Sequence, residues 1–174
     1  MLKDSVYAGH AIDVLQEEEN LSGVEVANAL NISPQLLSNI KNGHRRLHKD
    51  IAKASLDTYD CPIYTMEILH EFSGGYTPPV LKGKAIEWHR LALEEFAIQE
   101  TKEAIRILDE VSLIKPPGET TNQEKERIGQ VIDELLDAVA AINNLNAILS
   151  IEYGISIKDR YKKRLPEWKA KGWI

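Results

Sequence analysis

Apolar residues recur at steps of three and four along almost the whole chain, which is the spacing of amphipathic helices. The pattern predicts helices over residues 6–19, 23–30, 34–42, 47–57, 62–72, 85–114 and 121–153, followed by a last helical segment after residue 156. Pro166 lies inside that last segment and is expected to kink or divide it. Aromatic residues make up only 6% of the chain, so strand-forming bulk is scarce. The sequence therefore predicts an all-α fold.

The helical pattern stops at residues 73–79, where Ser-Gly-Gly-Tyr-Thr-Pro-Pro combines flexible and rigid residues that do not form a regular helix. This stretch predicts a boundary between two domains. The first, residues 1–72, would contain five helices. The second, residues 80–174, would be a helical hairpin or bundle that serves dimerisation or another interaction.

Residues 21–43 show the local signals of two short helices joined by a tight turn. Ser22 followed three residues later by Glu25 forms a capping box, which marks a helix start. Ala27 is small enough for a second helix to approach closely, and Asn31 tolerates the positive φ that a tight turn requires. A Ser-Pro pair then opens the second helix, which Gly43 ends. These features predict a helix-turn-helix.

The stretch LSGVEVANALNISPQLLSNIKNG, residues 21–43, resembles the Xre/Cro/lambda-repressor family of helix-turn-helix proteins, and a looser similarity covers residues 5–71. The resemblance implies a lambda-repressor-like domain whose second motif helix reads base edges while the loop after it binds phosphate. The residues so implied are Ser33, Pro34, Gln35, Leu36, Ser38, Asn39, Asn42, His44, Arg45 and Arg46. Gly23 stands where the family often carries a glutamine that touches phosphate, so that contact is missing.

Two further stretches, residues 70–96 (HEFSGGYTPPVLKGKAIEWHRLALEEF) and 153–174 (YGISIKDRYKKRLPEWKAKGWI), resemble the C-terminal half of phage and prophage regulators of Gram-positive bacteria. Together the resemblances imply a sequence-specific transcriptional regulator of the repressor type that binds double-stranded DNA in the cytoplasm.

The distribution of charge complicates this interpretation. The chain has a net charge of −6, and residues 1–71 contain six Lys and Arg against eleven Asp and Glu. DNA binding needs cations at phosphates, and here they cluster between Lys41 and Lys53. A second basic run extends from Lys158 to Lys171. The acidity of residues 1–71 favours an alternative, in which the helix-turn-helix scaffold binds a protein as an antirepressor or host-factor inhibitor.

The predicted helix over residues 121–153 carries a seven-residue apolar repeat that is too broad for a simple two-stranded coiled coil. The residues expected to mediate dimerisation are Ile128, Val131, Leu135, Ile142, Leu145 and Leu149. A homodimer is expected because two readers of DNA half-sites need a symmetric joint. A self-contained antiparallel hairpin that buries the repeat within one chain is the open alternative.

Signals of other chemistry are weak. His44 and His48 lie four residues apart without a cysteine or carboxylate cluster that would complete a metal site. Cys61, the single cysteine, is expected to be a buried small hydrophobe. No uncharged stretch approaches the ~20 residues of a membrane span. We therefore expect neither an enzyme nor a cofactor, metal or membrane partner.

Overall fold

Five helices and a small strand pair form the N-terminal part of the computed structural model, which describes residues 2–174. The elements are β1 (Ser5–Val6), α1 (Gly9–Glu18), α2 (Gly23–Ala29), α3 (Pro34–Lys41), β2 (Leu47–His48), α4 (Lys49–Thr58) and α5 (Pro62–Ser73). After an irregular stretch come α6 (Arg90–Glu110), a short 3-10 turn (Pro117–Glu119), α7 (Asn122–Tyr153) and α8 (Ile157–Ala170). The structure is mostly helical, so the all-α class is confirmed.

Both predicted ends of the helix over residues 85–114 were wrong, and the last helix is not divided. The helix expected over residues 85–114 is α6, which begins only after His89, whose ring accepts a hydrogen bond from the Leu91 amide. It ends before Val111, which has extended backbone angles. Pro166 does not divide the last helix, because α8 runs through it to Ala170. A proline removes one backbone hydrogen bond of a helix, and here the loss falls in a helix that has no buried residues.

The strand pair is a second departure from the predicted pattern. Helices were expected to start at residues 6 and 47, but Ser5–Val6 and Leu47–His48 instead pair as antiparallel strands. Val6 and Leu47 lie opposite each other and are both buried. The Lys49 amide extends this connection by donating to the Asp4 carbonyl oxygen at 3.0 Å. The start of the chain is thereby joined to the loop that follows α3.

The core of the N-terminal helices is apolar apart from one hydroxyl pair. Tyr64 and Ser55 are fully buried, and their hydroxyl oxygens lie 2.6 Å apart. Ser55 also donates to the Ala52 carbonyl oxygen, so the pair is satisfied. Burial raises the pKa of Tyr64 to about 12. Cys61 is buried as predicted, and burial raises the pKa of its thiol.

The chain divides into two compact units. The first comprises residues up to Val80 together with Ser150–Ile174, and the second comprises Leu81–Leu149. The C-terminal helix therefore belongs with the N-terminal helices: Lys158 Nζ donates to the Leu56 carbonyl oxygen at 3.1 Å. The predicted division into 1–72 and 80–174 remains a prediction about domains, and the compact units differ from it in where they place residues 150–174.

The second unit is built on an antiparallel pairing of α6 with α7. Arg127, near the start of α7, pairs with Glu110 at the end of α6 at 3.4 Å. Asn144 is a fully buried polar residue of α7, and its side chain accepts from the Leu81 amide and donates to the Ala140 carbonyl oxygen. These hydrogen bonds hold Leu81, the first residue of the second unit, against α7.

The length and composition of α7 would also let it cross a membrane, since one window has a mean hydropathy of 1.2. Core helices of soluble proteins pass the same test, and one third of this window is buried inside the structure. Among residues 2–174 this is the one helix that passes the test, which by itself is weak evidence for a membrane span.

Candidate nucleic-acid interface

The start of α2 is fixed by a reciprocal cap. The Ser22 amide donates to the Glu25 carboxylate at 2.8 Å, and the Glu25 amide donates to the Ser22 hydroxyl at 3.3 Å. The predicted capping box is therefore confirmed. Hydrogen bonds from the Ser22 side chain and backbone lower the pKa of Glu25. The N-terminus of α2 thus already carries a negative charge from its own chain.

The turn between α2 and α3 has the predicted geometry. Asn31 has a φ of 52°, and the Ile32 amide donates to the carbonyl oxygen of the fully buried Ala27 at 3.0 Å. The Ser33 hydroxyl then caps α3 by accepting from the Leu36 amide at 3.1 Å. The two helices are therefore connected by four residues, 30–33, whose backbone leaves little freedom.

The inner side of α3 is fixed against α1. Ile40 is fully buried, and Lys41 Nζ contacts Asp13 at 2.6 Å and Gln16 Oε1 at 2.9 Å. Gly9 lies so close that a β-carbon there would collide with the Lys41 carbonyl oxygen. Lys41 belongs to the basic stretch of the sequence, but its charge is used to hold α3 in place.

The outer side of α3 presents side-chain amides. Gln35 Nε2 donates to Asn39 Oδ1 at 3.3 Å, and Asn42 Nδ2 donates to the Ser38 carbonyl oxygen at 2.9 Å. Of the ten predicted DNA-binding residues, eight are exposed, while Leu36 and Asn39 are half-buried. The set lies on α3 and the loop after it.

The loop after α3 is shaped by the carbonyl oxygen of Asn39. The His44 and Arg45 amides both donate to it, at 2.8 and 3.0 Å. The Arg46 guanidinium lies 4.9 Å from the centre of the Tyr7 ring, a cation–π distance. Tyr7 was missed by sequence reasoning, because no local pattern connects it to a residue so distant in the chain.

The six predicted dimerisation residues do not share one environment. Val131 is buried, and Ile128, Leu145 and Leu149 are half-buried. Leu135 and Ile142 keep 39% and 41% of their surface exposed. Part of the seven-residue repeat is therefore buried within the chain, and another part is exposed.

A group of carboxylates lies where α6 meets α7. The side-chain oxygens of Glu100, Glu103 and Glu134 are within 4.8 Å of one another, and all three residues are half-buried. Among residues 2–174 this is the one such group close enough to share a cation, although acidic side chains commonly lie this close without one. Burial and repulsion from Glu103, Asp137 and Glu134 raise the pKa of Glu100.

We predict that Glu100→Gln stabilises the protein near neutral pH. A carboxyl group with a raised pKa stabilises the fold while it is protonated, and this contribution is lost as pH rises through the folded pKa. The gain at pH 7 should stay below about 1 kcal/mol, because solvent screens a half-exposed group. Thermal unfolding should show the higher midpoint at pH 7, with the two proteins converging toward pH 4. A difference that persists or grows in acid would contradict the assigned repulsion.

A cleft of about 780 Å³ lies beside the connection between α6 and α7. Its charged lining is paired, with Lys115 on Glu124 at 2.9 Å and Arg127 on Glu110 at 3.4 Å. The hydrogen bond from Lys115 is the main cause that lowers the pKa of Glu124 to about 2. These pairs leave few charges to direct a ligand into the cleft.

In comparisons with known proteins, no family model, curated protein or solved structure matches this chain.

Proposed function

We propose that this protein is a sequence-specific regulator that binds double-stranded DNA through a lambda-repressor-like helix-turn-helix, acting as a phage or prophage repressor in the bacterial cytoplasm. The observation that carries the proposal is the outward amide surface of α3, with Gln35 and Asn39 held together, next to a loop with two exposed arginines. The proposed activity is binding, and no catalytic step or cofactor is part of it.

The proposed recognition follows from the chemistry of these groups. Gln and Asn amides match the donor and acceptor pattern of adenine in the major groove. The bond from Gln35 to Asn39 limits the rotation of both amides before DNA arrives. Arg45 and Arg46 would contact phosphate and set the register of α3, while Leu36 would meet a thymine methyl group.

The acidity of residues 1–71 disfavours DNA binding, but it is partly offset within the first compact unit. When α8 is included, the first unit contains thirteen Lys and Arg against fourteen Asp and Glu, a net charge of −1. The second unit contains eight against thirteen, a net charge of −5. The net negative charge is thus concentrated in the second unit, because the cations of α8 offset most of the acidity of residues 1–71.

The proposal includes a homodimer formed through α7. Outward apolar residues recur along this helix, with Ile132, Leu136 and Val139 exposed in addition to Leu135 and Ile142. Soluble monomers seldom leave such residues adjacent and uncovered. A symmetric pair would set two α3 helices ~34–36 Å apart, one turn of DNA.

We expect Leu135→Glu to dissociate the dimer, because it places a charge among the outward apolar residues of α7. Light scattering at micromolar concentration should report the mass of a dimer for the parent and of a monomer for the variant. Gln130→Glu is the matched control, since Gln130 is an exposed polar residue of the same helix. A monomeric parent would contradict the proposed dimer, as would a dimeric variant.

Selection of bound sites from random duplex DNA tests the function as a whole. Enrichment of a common sequence, with binding that weakens as salt rises, is the expected result. The second candidate, a protein-interaction module, is favoured by the excess of acidic residues over residues 1–71. Absence of any enriched sequence at low salt would overturn DNA recognition in favour of that candidate.

A further inference from the structure

Helix α8 is an exposed basic helix, and none of its residues is fully buried. Its segment carries seven Lys and Arg between Lys158 and Lys171, against Asp159 and Glu167. Three of the cations are engaged within the chain. Lys158 contacts Leu56 and Asp57, Lys162 pairs with Asp159 at 3.0 Å, and Arg164 pairs with Glu167 at 2.7 Å.

Three cations of α8 remain available to a ligand, Arg160, Lys163 and Lys169, and the first two lie closest together along the helix. Arg160 and Lys163 are exposed, and neither forms an ion pair within residues 2–174. They lie three residues apart, which places them on one side of the helix. Tyr161 and Trp168 form an edge-to-face pair with ring centres 6.1 Å apart, which steadies α8 beside these cations.

The start of α8 lies on the same flank of the first unit as the start of α2. Lys158 bonds to the end of α4 through the Leu56 carbonyl oxygen. Ser156, which caps α8, lines one cleft together with Glu18 and Glu19 at the end of α1. Helix α2 begins only four residues after Glu19. In helix-turn-helix complexes the first motif helix crosses the DNA backbone, so this flank lies toward phosphate.

The cations around α3 are too few to supply strong phosphate binding alone. Lys41 is held by Asp13 and Gln16, and Lys49 is held by Asp4. The first motif helix offers a carboxylate, Glu25, at the end where phosphate would approach. DNA affinity depends on the number of phosphates neutralised, so a further source of cations is required.

We propose that α8 is a second DNA-contacting surface, in which Arg160 and Lys163 neutralise backbone phosphates beside the bases read by α3. The helix is about 21 Å long at 1.5 Å per residue, enough to follow several phosphates. The inference rests on the proposed function. It adds a sequence-independent contact from the opposite end of the chain.

The test compares two double variants of the full chain. Arg160→Gln with Lys163→Gln should lower the slope of log affinity against log salt by about two, because each lost phosphate contact removes about 0.9. The preference for the selected site over random DNA should stay unchanged. Lys102→Gln with Lys125→Gln removes the same charge from exposed positions of the second unit and should leave the slope as it is.

Hydroxyl-radical footprinting gives a second readout. The α8 variant should lose backbone protection outside the bases that α3 reads, while Arg45→Ala with Arg46→Ala should lose a different set of phosphates. A parent-like slope and footprint in the α8 variant, with site selection intact, would overturn this contact and leave the proposed function standing. A parent that selects no DNA would overturn both.

Discussion

Gly9→Ala is expected to cost the protein about 3 kcal/mol of stability. The added β-carbon would collide with the carbonyl oxygen of Lys41, a backbone atom that cannot turn aside as a side chain does. Relief requires α1 and α3 to separate, and forced expansion of a packed contact usually costs about 1–3 kcal/mol or more. Urea unfolding followed by circular dichroism should show the lower midpoint. Because α3 carries the proposed reading surface, DNA binding should fall with it.

Gly129→Ala is the matched control for this prediction. Gly129 lies within α7, and nothing lies within 4 Å of the position its β-carbon would take. Alanine in a helix interior is favoured over glycine by roughly 0.5–1 kcal/mol, so this variant should be slightly more stable than the parent. If Gly9→Ala were neutral or stabilising like the control, the close approach of α1 to α3 would be wrong.

The second large effect is expected from the amides of α3. Asn39→Ala and Gln35→Ala should each remove about 1–3 kcal/mol of discrimination between the selected site and a site with the contacted base changed. Their side chains are bonded to each other, so the losses should not add in the double variant. Competition binding with the two DNA sequences measures each loss.

Asn146→Ala controls for the loss of an exposed amide elsewhere, because Asn146 lies on α7 in the second unit. It should leave discrimination unchanged. The backbone contacts of Asn39 would survive its substitution, since the loop amides bond to its carbonyl oxygen and not to its side chain. Parent-like discrimination in both α3 variants would mean that another surface reads the bases.

Local chemistry explains which parts of the fold were predictable. The cap at Ser22, the positive φ of Asn31 and the cap at Ser33 are each decided by residues within a few positions. The turn and the start of α3 were therefore expected correctly. The outward position of Gln35 followed from the spacing of buried residues on the same helix.

Contacts between distant parts of the chain were not predictable. Val6 pairs with Leu47, and Arg46 stacks on Tyr7, although neither pair has a local signal. Each residue taken alone fits a helix or a solvated loop. Periodicity describes one segment at a time, so it placed residues 6 and 47 at the starts of helices.

Periodicity along α7 likewise could not predict how its apolar repeat packs. The spacing that places Val131 and Leu135 on related faces does not say which is buried within the chain and which remains outward. The sequence alternatives of a hairpin and a dimer seam were therefore left open. In the structure part of the repeat is buried within the chain, and the outward part is the basis of the proposed dimer.

The return of the C-terminal segment to the first unit has a consequence for synthesis of the protein. The bond from Lys158 to Leu56 spans 102 positions of the chain. A chain emerging from the ribosome exposes its first eighty residues and then the α6–α7 pair before α8 exists. Contacts of such wide sequence separation form slowly, since a long loop must close first. The first unit, which carries α3, is therefore the first to be synthesised in part and the last to be complete, because it needs residues 150–174.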